Sequence, residues 1–233
     1  MKADYKFVIR LSFLISLSAI MYCTITIDNR EWRVKEGSNL LWIALDNGIY
    51  IPNICSLKEM SISPASCRLC LVEIDGVPAP VTACTEKTID GMKVTTNSSK
   101  IKRLRQFSFD LLLSRHHLDC GHCIKNRRCT LQEIARHQHF KMQNKTYRKL
   151  NLNYPIDDSH PLIIFDRNKC VLCGKCVYIC HEKGTGVLDF AYRGIDTRVS
   201  TFADMPLAET ECNSCLNCVN ICPVGSLYLK IKN

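Results

Sequence analysis

The run C-x2-C-x2-C-x3-C is written twice, at Cys170, Cys173, Cys176 and Cys180 and again at Cys212, Cys215, Cys218 and Cys222, the second followed by Pro223. The copies "CVLCGKCVYIC" and "CNSCLNCVNICP" stand about 42 residues apart and read as one duplicated unit. Thiols this close in the chain do not suit a disulfide framework, but they are spaced to converge on one metal centre. Near neighbours reach three corners of a cubane, and the fourth Cys of each run ligates the other cluster. The spacing therefore assigns Cys170, Cys173, Cys176 and Cys222 to one 4Fe-4S centre, and Cys212, Cys215, Cys218 and Cys180 to a second. Zinc would leave surplus thiols unused in both runs.

The remaining cysteines of the sixteen form two further groups and one single residue. Cys55, Cys67, Cys70 and Cys84 place a close pair between two distant residues, which suits a planar 2Fe-2S rhomb, with structural zinc as the alternative. In "SRHHLDCGHCIKNRRC", residues 114–129, Cys120, Cys123 and Cys129 supply three thiolates, so a fourth ligand is needed. His122 lies inside the Cys pair and points away, whereas spacing leaves His116 and His117 close to even. A neutral imidazole in place of a thiolate makes the site less negative and by itself favours reduction, as in Rieske centres. Cys23 falls in the first expected strand and reads as a packed thiol.

The pattern from Tyr22 is β-rich. "CTITID", a turn at "NRE" and "WRVKEG" read as a hairpin. Ser38 or Asn39 caps a helix through "LLWIALDNG" that stops at Gly48. A long loop carries Cys55, Cys67 and Cys70, and "LCLVEIDG" and "GMKVTT" follow as strands. "SSKIKRLRQFSFDLLLSRH" reads as a helix with Ile101, Leu104, Phe107 or Ser108, Leu111 and Leu112 on one face and basic residues opposite. "LQEIARHQHF" is a second short helix. The fold class is α+β, with a β-grasp 2Fe-2S ferredoxin-type domain over 21–98, a helical 4Fe-4S segment over 99–140, a polar connector over 141–161 and a bacterial-type 2x4Fe-4S ferredoxin domain over 162–233. Residues 1–20 combine basic residues with an apolar run too short to span a bilayer. They are expected to be an upstream mis-start or a disordered extension, with Met21 as the working start.

The formal charge of +9 would raise nucleic acid or an acidic membrane as a partner. Fifteen thiolates in four oxidised clusters would bring it near about +2, so most of the basicity is counter-charge. Residues 93–149 hold fourteen Lys or Arg against three Asp or Glu, an excess of +11. The default for this region is a solvated face around a cluster, with docking to an acidic partner subunit as the alternative. No aromatic interleaving supports nucleic acid. "GTG" at 184–186 lacks the third Gly of a nucleotide loop and reads as a turn.

Cys55, "CRLC" at 67–70, Cys84, then H-x3-C-x2-C-x5-C, then two ferredoxin runs, together resemble the module shared by three groups of proteins. These are the large iron–sulfur subunit of complex I, the N-terminal region of FeFe hydrogenases, and the diaphorase gamma subunit of bidirectional NAD-reducing NiFe hydrogenase. The resemblance covers residues 21–233 and implies His116, at the H-x3-C position, as the fourth ligand beside Cys120, Cys123 and Cys129. One 2Fe-2S and three 4Fe-4S clusters follow from it. The short span after Cys222, and "LDFAYRG", favour the detached gamma type. His181 stands where a ferredoxin would often carry Pro, which removes no ligand. The implied role is a non-catalytic, cytoplasmic electron-transfer subunit of a hetero-oligomer, without a membrane span. It would lie between a flavin- and NAD(H)-binding diaphorase subunit and the small and large hydrogenase subunits. The alternatives are the equivalent subunit of a formate dehydrogenase, an electron-bifurcating hydrogenase or a complex I-like assembly, and then a free ferredoxin-like carrier or redox sensor.

Overall fold

The computed structural model describes residues 21–143, 147–150 and 152–231. The expectation for residues 1–20 lies outside the described residues.

Strands β1 (Tyr22–Ile27) and β2 (Arg30–Lys35) pair antiparallel, from Tyr22 opposite Lys35 to Ile27 opposite Arg30. Their turn is Asp28-Asn29, with φ of 47° and 66°. Positive φ at both central residues is the twist-matched hairpin geometry that Asp and Asn tolerate, so the turn starts one residue before "NRE". Alternation sends Cys23, Ile25 and Ile27 inward, and Cys23 is a packed thiol as expected. Of the two candidate caps, Asn39 begins α1 (Leu40–Asp46), its Oδ1 accepting from Trp42 N at 3.4 Å, and Gly48 follows the helix at φ 77°. Strands β3 (Leu71–Ile74), β4 (Val81–Thr82) and β5 (Lys93–Thr95) complete a sheet of order β2-β1-β5-β3-β4. β1 and β5 run parallel and the other neighbours antiparallel. That parallel pair needs the long return through α1 and the cysteine loop, which is the β-grasp arrangement. The two-residue β4 was not legible in the sequence.

Helix α2 (Ser99–Arg115) starts at Ser98, whose Oγ accepts from Ile101 N at 3.1 Å. Its buried stripe differs from the expected one. Ile101, Arg105, Phe109 and Leu113 face inward, whereas Phe107 and Leu111 are 42% and 53% exposed. Arg105 is the reason. It is 1% exposed, its Nη2 donates to Leu71 O at 2.7 Å and its Nη1 to Gln138 Oε1 at 3.4 Å. The long apolar stem fills core space while the fork ties α2 to the end of β3, so a charged residue occupies the buried stripe. Arg105→Met, which keeps a stem of similar size, should lower unfolding free energy by about 1–3 kcal/mol through the abandoned Leu71 carbonyl. Arg105→Ala should cost more, because it also opens a cavity. Denaturation of both variants followed by cluster absorbance checks the order.

Helix α3 (Thr130–Gln138) ends at His139, φ 57°. The C-terminal part contains β6 (Ile163–Phe165), α4 (Lys175–Lys183), the hairpin β7 (Asp189–Ala191) and β8 (Arg198–Ser200), α5 (Asn217–Ile221) and β9 (Leu227–Leu229). β6 pairs antiparallel with β9, which brings the two ends of the segment together. The duplication is visible in the backbone. Leu172 and Gly174 have φ of 54° and 75°, and Ser214 and Leu216, at the same places in the second copy, have 57° and 59°. Each pair shapes the loop between thiols and leads into a short helix, with Gly174 and Leu216 as N-caps.

One core runs from Ile54 and Leu69 in the N-terminal cysteine loop through Phe109, Leu113, Leu131 and Ile134 to Phe165, Val177, Val224 and Leu227 in the C-terminal part. Arg115, closing α2, donates from Nη1 to Ile195 O at 3.2 Å and from Nη2 to Thr197 O at 2.5 Å. Among the described residues no helix is long and apolar enough to cross a membrane.

Candidate metal centres

Cys55, Cys67, Cys70 and Cys84 are all buried. Cys70 immediately precedes β3 and Cys84 lies two residues past β4, and Ala83 N donating to Cys70 O at 2.9 Å joins the two ends. Arg68 sits at φ 53°, which tightens the "CRLC" turn. The Sγ atoms of Cys55 and Cys67 are 3.4 Å apart. The hydrogen bond shared with Cys67 pulls Cys55 down to about 5 and, with burial, holds Cys67 up. Cys70 and Cys84 form the corresponding pair: their hydrogen bond raises Cys70 and lowers Cys84. Four thiols thus converge as two coupled pairs, a donor set suited to a soft metal centre.

In the middle segment Cys129 is buried, Cys120 and Cys123 are partly exposed, and both are near enough to act electrostatically on Cys129. Burial pushes the Cys129 thiol up. The two histidines that spacing could not separate are placed differently. His116 caps the end of α2 and is 8% exposed, whereas His117 is exposed and contributes its backbone N–H to Asn168 O at 2.9 Å. His116 Nδ1 lies 2.7 Å from Lys169 O. A carbonyl only accepts, so Nδ1 carries the proton and Nε2 keeps the lone pair that a metal needs. Burial holds the His116 imidazole below its ordinary pKa and therefore neutral. The His122 side chain is 89% exposed and pairs with Asp119 at 2.9 Å. Lys169, whose backbone anchors His116, was not singled out from the sequence, because a backbone acceptor leaves no side-chain signature.

In the C-terminal part a small cavity is lined by Cys170, Cys173, Cys176 and Cys222, together with Phe165, Val199 and Leu227. This is three thiols of the first run and the last of the second. Cys218 has Cys180, Cys212 and Cys215 as its electrostatic neighbours, three thiols of the second run and the last of the first. Burial pushes Cys170 to about 11 and Cys173 and Cys218 to about 12, and it raises Cys176 as well. Without a cation these thiols keep their protons, so a cluster must displace them on binding. Among the described residues no group of three or more His, Cys, Asp or Glu is set to hold a single metal ion. The thiols of the first crossed set line one small common cavity, so the donors of a polynuclear group stand together there.

The chain matches three family descriptions in order: a 2Fe-2S iron-sulfur cluster binding domain over residues 22–99, the NADH-ubiquinone oxidoreductase-G iron-sulfur binding region over 105–143, and a 4Fe-4S dicluster domain over 169–226. Fold and sites thus define an α+β protein with 2Fe-2S and 4Fe-4S binding domains. A solved structure of NAD+-reducing [NiFe]-hydrogenase in the H2-reduced state contains a chain with TM-score 0.82 and 31% identity, covering 91% of this chain and 88% of that one. The NAD-reducing hydrogenase HoxS subunit gamma of Cupriavidus necator is 29% identical over 90% of this chain and 88% of its own. The NADPH-Fe(3+) oxidoreductase subunit alpha of Geobacter sulfurreducens is 37% identical over 89% of this chain and 24% of its own, so the chain spans about a quarter of that relative. The chain belongs to the iron–sulfur subunit family shared by NAD-reducing hydrogenases and NADH-ubiquinone oxidoreductase.

Proposed function

We propose that this chain is a non-catalytic electron-transfer subunit holding one 2Fe-2S and three 4Fe-4S clusters. The ligands are Cys55, Cys67, Cys70 and Cys84; His116, Cys120, Cys123 and Cys129; Cys170, Cys173, Cys176 and Cys222; and Cys212, Cys215, Cys218 and Cys180. Residues 21–98, 99–140 and 162–233 are the three cluster-bearing units, joined by the connector 141–161. When bound, the clusters supply one-electron oxidation and reduction. The chain's own residues hold the iron through thiolates, bury the whole Cys55, Cys67, Cys70 and Cys84 set, and orient His116 through the Lys169 carbonyl. The observation that carries the reading is Cys222 in one cavity with Cys170, Cys173 and Cys176, an arrangement that ties the two C-terminal centres together.

The partners in this reading are a flavin- and NAD(H)-binding diaphorase subunit and the small and large subunits of a hydrogenase, in a cytoplasmic hetero-oligomer. The 29% identity over nearly the whole gamma subunit of an NAD-reducing hydrogenase supports it. The higher identity to part of an NADPH-Fe(3+) oxidoreductase subunit supports a second reading, the same relay serving another NAD(P)-linked assembly. Anaerobic purification of the native complex should identify the catalytic partner, and the isolated subunit should carry about 14 Fe per chain. The subunit alone should not oxidise NADH with an artificial acceptor. NADH oxidation without a partner would overturn the division of labour.

A further inference from the structure

Three contacts join the surroundings of the His116 set to those of the Cys170 set. His116 Nδ1 donates to the carbonyl of Lys169, the residue before Cys170, at 2.7 Å. Thr130, next to Cys129, donates its backbone N–H to the carbonyl of Pro223, next to Cys222, at 3.0 Å. The third is at Gly225, three residues past Cys222. A Cβ there would stand 2.6 Å from Cys123 Sγ and 3.7 Å from both Ile124 Cγ2 and Lys169 Cδ. Seven of the ten glycines have positive φ, a conformation that by itself favours glycine, but Gly225 does not. Its missing side chain answers a demand for space, where backbone must approach a thiol closely.

We infer that Gly225 is a positioning residue for electron transfer between the centre held by His116, Cys120, Cys123 and Cys129 and the centre held by Cys170, Cys173, Cys176 and Cys222. The inference rests on the ligand sets proposed above. A free Cys123 thiol could swing away from an added methyl group, but a thiolate fixed to iron cannot. A side chain at Gly225 therefore pushes Cys123 and its cluster away from the segment that carries Cys222. One electron leaves one centre as the other is reduced, with no bond made or broken, and the rate depends on the gap that Gly225 keeps small.

The test compares Gly225→Ala, Gly225→Val and Gly121→Ala in the full chain, purified anaerobically and reduced. Gly121 lies between Cys120 and His122 with nothing within 4 Å of an added Cβ and no positive φ, so it controls for a side chain added in the same motif. Gly225→Ala should keep about 14 Fe per chain but shift the electron paramagnetic resonance signal of the His116 centre and weaken its magnetic interaction with the neighbouring cubane. Gly225→Val should lose about four of those irons. Gly121→Ala should match the parent in all three. Parent-like iron, line shape and magnetic interaction in Gly225→Ala would overturn the inference, as would an equal shift from Gly121→Ala. Should the Val variant not fold, the Ala spectrum decides alone. Cys123→Ser is the separate check: if it leaves iron and spectrum unchanged, the ligand assignment itself falls. If it removes the His116 signal while Gly225→Ala has no effect, only the role of Gly225 falls.

Discussion

Cys222→Ala should remove about four irons per chain, and the centre lost should be the one built on Cys170, Cys173 and Cys176 rather than that on the neighbouring Cys212, Cys215 and Cys218. Sequence proximity alone would give the opposite result, because Cys218 is four residues away and Cys176 is forty-six. The fold supports the crossed assignment instead. β9, just beyond Cys222, pairs with β6, just before Cys170, and this brings the end of the second run to the start of the first. The Cys222 side chain then lines the same cavity as Cys170, Cys173 and Cys176. Cys180→Ala is the mirror experiment and should remove the other centre, since Cys180 neighbours Cys218. Iron analysis with electron paramagnetic resonance of the two single variants separates the outcomes. Each should lose a different cubane signal and keep the other. If both variants lost the same signal, or if each lost the centre of its own run, the crossed assignment would be wrong.

Much of this arrangement was legible because cysteine chemistry is local. A duplicated run with fixed spacing states its candidate ligands and their proposed crossing at once, and the repeated positive φ at Leu172 and Ser214 shows that the backbone kept the duplication, although the short helices α4 and α5 were not read from the sequence. The hairpin and the capped α1 were legible for a similar reason: alternation and a single Asn cap are short-range signals. The buried face of α2 was not. An apolar count cannot rank Arg105 above Leu111, because Arg105 is buried through a bond to the carbonyl of Leu71, thirty-four residues away. The Gly225 contact with Cys123 is hidden for the same reason, being a meeting of two segments that the sequence keeps far apart. Spacing could also not choose between His116 and His117, since both lie within reach of the Cys pair. That choice depends on which residue ends α2 facing inward.

His116→Ala should therefore abolish the native signal of one 4Fe-4S centre, and His117→Ala should leave all four spectra unchanged. His116 is buried at the end of α2 with its Nδ1 proton committed to the Lys169 carbonyl, so Nε2 is the nitrogen left with a lone pair for a metal. His117 is exposed and meets Asn168 only through its backbone N–H, which Ala retains. The informative third variant is His116→Cys. A thiolate can ligate iron in place of imidazole, so about 14 Fe per chain should return, but the site gains one negative charge and the centre should become harder to reduce. Redox titration followed by electron paramagnetic resonance reads both effects. A purely structural role for His116 would not produce restored iron with a lowered potential, because Cys cannot replace the hydrogen bond to Lys169 yet can replace a ligand. If His117→Ala, rather than His116→Ala, removed the signal, the burial of His116 would have to serve packing alone.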